Sequence, residues 1–238
     1  MSGAAPRHLR KLGLLGGMSW ESTTLYYQWL NRLARERLGG QHSARLVIWS
    51  DDFGPIAAAQ AAGDWDALGR LLATAARELE AAGAEAILIG ANTMHKLAPQ
   101  VSGAVGVPVV HVADATARAL RAAGVRRPLL LATRFTMEGD FYRGRLAELG
   151  VEASIPSADE RTALHAIIYD ELIQGRFEAA SRAVVVAMTE RAAAEGADGV
   201  IFGCTEIGLL VAPDDVSLPV FETTEIHARA AMAFAFGD

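Results

Sequence analysis

A single cysteine stands where a strand is predicted to end. Cys204, the only cysteine among the 238 residues, follows a short apolar run at 199–202 that favours a buried strand. Thr205 comes next, where a helix is predicted to begin, and a hydroxyl beside free backbone N–H groups binds anions. Ligands bind at this edge of open α/β sheets. The pattern favours a reactive thiol beside an anion site; a buried structural thiol is the alternative.

An earlier stretch of the chain, 85–95, repeats this pattern. Its apolar strand ends at Gly90, and a small residue and then polar residues open a predicted helix. When the glycines of the two stretches are aligned, Ala91 falls opposite Cys204 and Asn92 opposite Thr205. Two matched strand ends predict two similar α/β halves that face each other across a cleft.

Strands and helices alternate along the whole chain, which predicts parallel sheets in a doubly wound arrangement. The predicted strands are 11–15, 45–49, 86–89, 109–112, 129–132, 199–202 and 218–221. The predicted helices are 21–38, 56–62, 66–82, one opening at Asn92, 113–123, 140–149, 158–174, 177–195 and 223–236. The fold class is therefore α/β, with two Rossmann-like domains, each a parallel sheet flanked by helices. A pseudo-twofold relates them, the site lies between them, and the domain break falls near residue 112.

Composition and charge narrow the possible partners. The formal charge is −6 and there is no basic run, which argues against nucleic acid. No apolar run reaches the roughly 18 residues that span a bilayer, so no membrane partner is expected. The first ten residues are predicted to be a loose tail without the apolar core of a secretory signal. A lone cysteine forms no internal disulfide, and a cytoplasmic protein is expected.

Metal and dinucleotide sites are not predicted. No Cys/His cluster has the spacing of metal ligands, so the expected metal set is none. The glycines at 13–17 follow a strand but do not form the G-x-G-x-x-G pattern of dinucleotide sites.

Four stretches together resemble the aspartate/glutamate racemase family, which are cofactor-independent amino-acid racemases. They are Gly-Gly-Met-Ser-Trp-Glu-Ser at 16–22, Ala-Asn-Thr-Met-His at 91–95, Ala-Thr-Arg-Phe-Thr-Met at 132–137 and Gly-Cys-Thr-Glu at 203–206. The resemblance runs in order from about Lys11 to the C-terminus and is greatest to the broad-specificity bacterial branch. It implies that the C-terminal helix packs on the first domain. The domains are then 1–112 with 222–238, and 113–221.

The resemblance also implies a chemistry. Racemisation removes a weakly acidic α-proton from one face of an amino acid and returns a proton to the other face. In the family two cysteines flank the α-carbon, while helix N-termini and hydroxyls hold the carboxylate. A thiolate at a helix N-terminus has a lowered pKa. No cofactor is implied, and the expected partners are a small amino acid or dicarboxylate and a second copy of the chain in a homodimer.

The family's functional residues map onto eight positions. Cys204 matches the second cysteine and Ala91 the position of the first. The family residues that hold the carboxylate and amino group match Asn92, Thr93, Thr133 and Thr205. Two further pocket residues of the family match Met18 and Gln60. Four of these positions have a structural alternative: helix capping for Asn92 and Thr205, a turn for Thr133, and the core for Met18.

Five further side chains have two open interpretations each. Glu206 could tune Cys204 or simply complement a helix dipole. His95 and His227 fit either the cleft or a satisfied structural role. Asp51 and Asp52 fit either amine contacts or a turn.

Ala91 departs from the family pattern, because alanine can neither take nor give a proton. Some relatives carry threonine here and process one enantiomer preferentially, whereas the one-cysteine arylmalonate decarboxylases carry a small residue. The sequence therefore predicts a cysteine-based racemase that is one-sided. A one-cysteine decarboxylase or isomerase acting on a small carboxylate and a non-catalytic amino-acid binder remain open. Alanine also fits a substitution made to trap substrate.

Overall fold

The computed structural model describes residues 9–238, so the predicted tail lies almost wholly outside the described residues. Within that range the strands are β1 (Leu12–Leu15), β2 (Leu46–Trp49), β3 (Ala86–Ile89), β4 (Val109–Val110), β5 (Pro128–Leu131), β6 (Gly199–Phe202) and β7 (Val220–Glu222). The α-helices are α1 (Trp20–Leu38), α2 (Phe53–Ala62), α3 (Trp65–Ala81), α4 (Ala98–Ala104), α5 (Val112–Ala122), α6 (Arg134–Glu138), α7 (Asp140–Glu148), α8 (Ala158–Ala166), α9 (Ala179–Ala194), α10 (Ile207–Leu210) and α11 (Thr223–Phe236).

The described chain divides into two compact units. Unit 1 holds the described residues up to Gly90 together with Leu97–His111 and His227–Asp238. Unit 2 holds Ala91–Lys96 and Val112–Ile226. The short segment at 91–96 thus follows a strand of unit 1 but belongs to unit 2, and α11 begins in unit 2 and continues in unit 1.

Unit 1 is built on a parallel sheet in the order β2-β1-β3-β4. Helix α1 begins where the Ser19 hydroxyl accepts from the Ser22 N–H and ends at Gly39, whose φ of 75° suits glycine. Its predicted apolar face is buried against β1 and β3. The alanine-rich end of α11 packs into the same core, around Met232.

Unit 2 is built on a smaller parallel sheet in the order β5-β6-β7. Every residue of the central strand β6 is buried, as predicted for the run before Cys204. An isolated parallel bridge joins Leu129 of β5 to Ser154. Residues of β5 and β6 form the core together with α5, α8 and α9.

The α/β prediction of two parallel sheets flanked by helices is confirmed. The pseudo-twofold relation stays a prediction. Most element bounds agree with prediction to within three residues, and β3, β6 and α11 agree at both ends. The strand predicted at 109–112 is shorter, because Val112 already begins α5.

Two predicted helices differ in a way that affects the site. The helix predicted over 158–174 is interrupted by a π-helical turn at Ile167–Glu171 and ends in a 3₁₀ turn. The helix predicted directly after Cys204 begins only at Ile207 and has four residues. The helix begins late because residues 204–207 form a turn, in which the Ile207 N–H donates to the Cys204 carbonyl. It is short because the backbone is already extended at Val211. Apolar periodicity marks neither a π turn nor a delayed helix start.

None of the helices within 9–238 has the length and apolar character that crossing a bilayer requires.

A buried histidine ties α11 to the sheet of unit 1. His227 Nε2 donates to the Val110 carbonyl at 2.6 Å, and its Nδ1 accepts from the Tyr26 hydroxyl at 2.8 Å. Because both ring nitrogens are used in a fully buried site, His227 is a structural histidine. Burial, and secondarily the neighbouring His111, lowers the pKa of His227 to about 4 despite the bond to Val110.

The first prediction concerns stability against pH. An unfolded histidine titrates near pH 6.5, so between about pH 6.5 and 4 the unfolded chain binds a proton that folded His227 does not. As the pH is lowered through that window, the free energy of unfolding should therefore fall by up to about 1.4 kcal/mol per pH unit. Urea unfolding of the protein and of His227→Gln at pH 7.5, 6 and 5 measures the slope due to His227. Replacement of the exposed His42 by glutamine is the control; equal slopes in the protein and His227→Gln would contradict the prediction.

Candidate functional site

Two predicted site residues of unit 2, and one residue that was not predicted, follow the carboxyl ends of its three parallel strands. Thr133 comes two residues after β5, Cys204 two residues after β6, and Thr223 directly after β7. Parallel strands place these ends at one edge of the sheet, where α/β proteins bind ligands. The segment at 91–96 hydrogen-bonds to residues at the same edge, as described below.

Three threonine hydroxyls form a closed ring of hydrogen bonds. Thr93 Oγ1 lies 2.8 Å from Thr133 Oγ1 and 3.1 Å from Thr136 Oγ1, and the last two are 3.2 Å apart. The ring has three protons for three contacts, so one hydroxyl must rotate outward to bind an anion. Thr136 is fully buried, whereas Thr93 and Thr133 keep 7% and 8% exposure. Thr133 also caps α6, so the turn interpretation holds alongside the ring.

Asn92 is joined to the end of β6 through Thr223. Asn92 Nδ2 donates to Thr223 Oγ1 at 2.9 Å, and the Thr223 hydroxyl donates to the Phe202 carbonyl at 2.9 Å. The Asn92 carbonyl oxygen Oδ1 is buried, and no residue of the described chain hydrogen-bonds to it. Asn92 is thus tied to α11 rather than capping a helix, and it leaves a buried acceptor.

Cys204 forms a thiol–carboxylate pair with Glu206. Its Sγ donates to Glu206 Oε2 at 2.9 Å, and Glu206 is 4% exposed. Tyr169, from the π turn, lies within electrostatic range of both groups, and burial and their charge raise the pKa of its phenol. The Cys204 thiol therefore lies among interacting polar side chains rather than alone at this edge.

The expected lowering of the thiol pKa is wrong. Burial raises the pKa of Cys204 well above its ordinary value, and the charge of Glu206 and the hydrogen bond to it raise it further. Hydrogen bonds from the backbone N–H groups of Glu206 and Ile207 lower the pKa of Cys204, but by less than the other causes raise it. Helix α10 begins only at Ile207 and has four residues, so it offers little dipole to offset burial and the charge of Glu206.

Thr205 does not cap a helix either. Its hydroxyl lies 3.1 Å from that of Thr224 on α11. Because Thr224 follows Thr223, the contacts of Thr205 and Asn92 meet on consecutive residues. Helix α11 therefore positions both predicted substrate holders.

His95 fixes the backbone at the position of the missing cysteine. The Val112 N–H donates to His95 Nε2 at 3.2 Å, so the other ring nitrogen, Nδ1, carries the proton and donates to the Ala91 carbonyl at 2.9 Å. Both nitrogens are engaged in a buried ring, which favours the structural interpretation of His95.

Two of the eight predicted residues, Met18 and Gln60, belong to unit 1. Both are buried, Met18 after β1 and Gln60 on α2. The Asp52 carboxylate caps α2 by accepting from the Gly54 N–H, and Asp51 accepts from the Asp52 N–H. The turn interpretation of the two aspartates is thus satisfied.

Four residues of the site were not among those predicted: Thr136, Tyr169, Thr223 and Thr224. Thr223 and Thr224 could have been found from the rule that residues after a parallel strand face the ligand edge. Tyr169 could not, because nothing in the sequence marks the π turn that carries it. No group of three or more His, Cys, Asp or Glu side chains suited to a metal occurs within 9–238.

The second prediction concerns the thiol. Glu206→Gln removes the adjacent negative charge, so the Cys204 thiolate should form more readily and iodoacetamide should alkylate it at least about tenfold faster at pH 8. The measurement is the alkylation rate between pH 6 and 10, followed by mass spectrometry. Glu152→Gln, on an exposed residue, should leave the profile unchanged. A Glu206→Gln profile identical to that of the unmodified protein would contradict the prediction.

Comparison with known proteins supports the resemblance seen in the sequence. The sequence model of the Asp/Glu/Hydantoin racemase family matches residues 15–231. A candidate Asp/Glu racemase from Yersinia pestis is 47% identical, with 95% of this chain and 99% of that one covered and a TM-score of 0.89. An aspartate racemase homologue from Pyrococcus horikoshii is 37% identical, with 95% and 99% covered and a TM-score of 0.82.

A more distant structure shares the fold. The aspartate racemase of Picrophilus torridus is 20% identical and has a TM-score of 0.75, with 96% of this chain and 94% of that one covered. Aspartate and glutamate racemases are isomerases, and the family match covers most of the chain. The protein therefore belongs to the Asp/Glu/Hydantoin racemase family.

Proposed function

We propose that the protein is an amino-acid racemase of the aspartate/glutamate type in which Cys204 exchanges the α-proton on one face of the substrate. The observation that carries this proposal is the hydrogen bond from the Cys204 thiol to the buried Glu206 carboxylate at the ligand edge of the sheet. No other thiol is present in the sequence. Family membership supplies the reaction class.

The surrounding side chains suit an amino acid. Thr93 or Thr133 can turn a hydroxyl toward a carboxylate, with Thr136 supplying the hydrogen bond behind it. Thr205 adds a further partly buried hydroxyl. The buried Asn92 Oδ1 suits the ammonium group, since it can only accept. Met18 and Gln60 are proposed pocket residues.

The Cys204–Glu206 pair gives the thiol a place to leave its proton. Transfer of the thiol proton to Glu206 leaves a thiolate beside a neutral carboxylic acid. That thiolate then takes the substrate's α-proton and becomes a thiol again, and the carbanion keeps the electron pair. Since burial raises the pKa of Cys204, the buried thiolate is a stronger base for a weakly acidic C–H than the thiolate of an ordinary cysteine.

The other face of the substrate has no matched group in this proposal. Ala91 occupies the position of the family's first cysteine and carries no titratable atom. His95, its neighbour, uses both ring nitrogens within unit 2. Proton return on that face would fall to water, which is neither fixed nor tuned in pKa. The hydroxide left behind would take the proton that Glu206 holds and so restore the carboxylate. The proposed activity is therefore asymmetric between enantiomers.

Ala91 also favours a second candidate. A decarboxylase or isomerase acting on a small carboxylate needs one proton donor, and Cys204 would supply it. Its carbanion would form by loss of carbon dioxide or by proton transfer on a single face.

Three further expectations stay predictions: independence from a cofactor, a homodimer and a cytoplasmic location.

The third prediction assigns the exchange to Cys204. Cys204→Ala removes the general base, so α-proton exchange of aspartate or glutamate in deuterium oxide should fall by about 10²-fold or more. Proton NMR of the α-hydrogen gives the rate, and circular dichroism confirms that the variant is folded. Thr189→Val, which changes a fully buried threonine bonded to the Val185 carbonyl, is the control for a core change. Exchange that persists in folded Cys204→Ala protein would refute the role of the thiol.

The fourth prediction concerns Ala91. Ala91→Cys should supply a second proton donor and raise optical inversion by about 10²-fold or more, with little change in affinity. Inversion is followed by polarimetry and affinity by calorimetry. Ala91→Ser fills similar space without a thiol and should invert far more slowly than Ala91→Cys. Equal gains from serine and cysteine would show that space filling, rather than proton donation, is responsible.

A further inference from the structure

We infer that Thr223 is a positioning residue that fixes the Asn92 side-chain amide so that its free end is the acceptor Oδ1, which selects an ammonium group over a carboxylate. This inference rests on the proposed function, whose substrate class it narrows. Thr223 is fully buried at the first residue of α11.

The direction of the hydrogen bonds follows from counting protons. The Thr223 hydroxyl has one proton, and it goes to the Phe202 carbonyl, which can only accept. Thr223 Oγ1 can therefore only accept from Asn92, 2.9 Å away. Of the two ends of the Asn92 amide, only Nδ2 can donate, so Nδ2 faces Thr223 and Oδ1 faces away.

The sheet holds this arrangement in place. Phe202 at the end of β6 pairs in register with Glu222 at the end of β7, and Thr223 follows directly. Strand pairing thus sets the position of the Phe202 carbonyl and of the backbone that leads into Thr223. The buried Thr223 hydroxyl reaches the carbonyl from there. A flip of the amide would bring the carbonyl oxygen of Asn92 against Thr223 Oγ1, with no proton between the two oxygens.

The fixed amide has a chemical preference. Asn92 is 8% exposed and its Oδ1 has no hydrogen-bond partner within the described residues. A buried carbonyl oxygen is stabilised by a donor, and an ammonium group offers three protons. A carboxylate offers none and is repelled. Thr223 therefore favours amino acids over the matching acids that lack the amino group.

One test compares the unmodified protein with three variants. Thr223→Val keeps the shape of the side chain without the hydroxyl, and Thr223→Ser keeps the hydroxyl. Thr189→Val changes a fully buried threonine of unit 2 that bonds to its own helix. Calorimetry gives the ratio of dissociation constants for succinate over aspartate and for glutarate over glutamate. NMR gives the solvent exchange rate of the Asn92 side-chain amide protons, assigned from their loss in Asn92→Leu, in the ligand-free proteins.

We expect both readouts to change only in Thr223→Val. Its preference for the amino acids should fall about tenfold, the value of one hydrogen bond to a charged group, while Thr223→Ser and Thr189→Val keep it. The Asn92 amide protons should exchange at least about tenfold faster in Thr223→Val, because Nδ2 loses its acceptor.

The result that would overturn the inference is an unchanged preference or an unchanged exchange rate in Thr223→Val. If the unmodified protein binds aspartate and glutamate, such a result refutes the role of Thr223 alone. If it binds none of the four acids, the proposed function fails, and the amide exchange rate by itself upholds or overturns the assignment of Thr223.

Discussion

The hydrogen bond from Cys204 to Glu206 is the interaction on which the account of the site depends. It places a thiol beside a buried carboxylate at the edge of a parallel sheet, where burial raises the pKa of the thiol and the charge of Glu206 and the hydrogen bond to it raise that pKa further. The rest of unit 2 holds this pair in place. Strand β6 delivers Cys204, the late start of α10 determines where Glu206 lies, and α11 bonds to the neighbouring polar groups through Thr223 and Thr224.

Much of the fold could be predicted from the sequence, because burial and periodicity are local signals. The run at 199–202 is short and apolar, and it is the fully buried β6. The glycine pair after Leu38 ends α1 as expected. The π turn at Ile167–Glu171 could not be predicted, because its extra residue per turn leaves no mark in the apolar periodicity.

The features of the candidate site likewise fall into those that the sequence could predict and those that it could not. Cys204, Asn92 and Thr133 could be found because each follows a predicted strand, and residues after parallel strands share one edge. The direction of the Cys204 pKa could not, since it depends on burial and on where α10 begins, both of which are tertiary properties. The orientation of the Asn92 amide likewise depends on Thr223, 131 residues away in the sequence.

The central claim is that Cys204 acts on one face of the substrate without a partner at Ala91. The most direct measurement follows exchange and inversion by the unmodified protein in deuterium oxide, starting from each pure enantiomer of aspartate and of glutamate. We expect one enantiomer of the substrate to lose its α-proton faster than it inverts, while the other is nearly inert. Rapid, equal inversion of both enantiomers would contradict it, because a second base would then be acting on the opposite face.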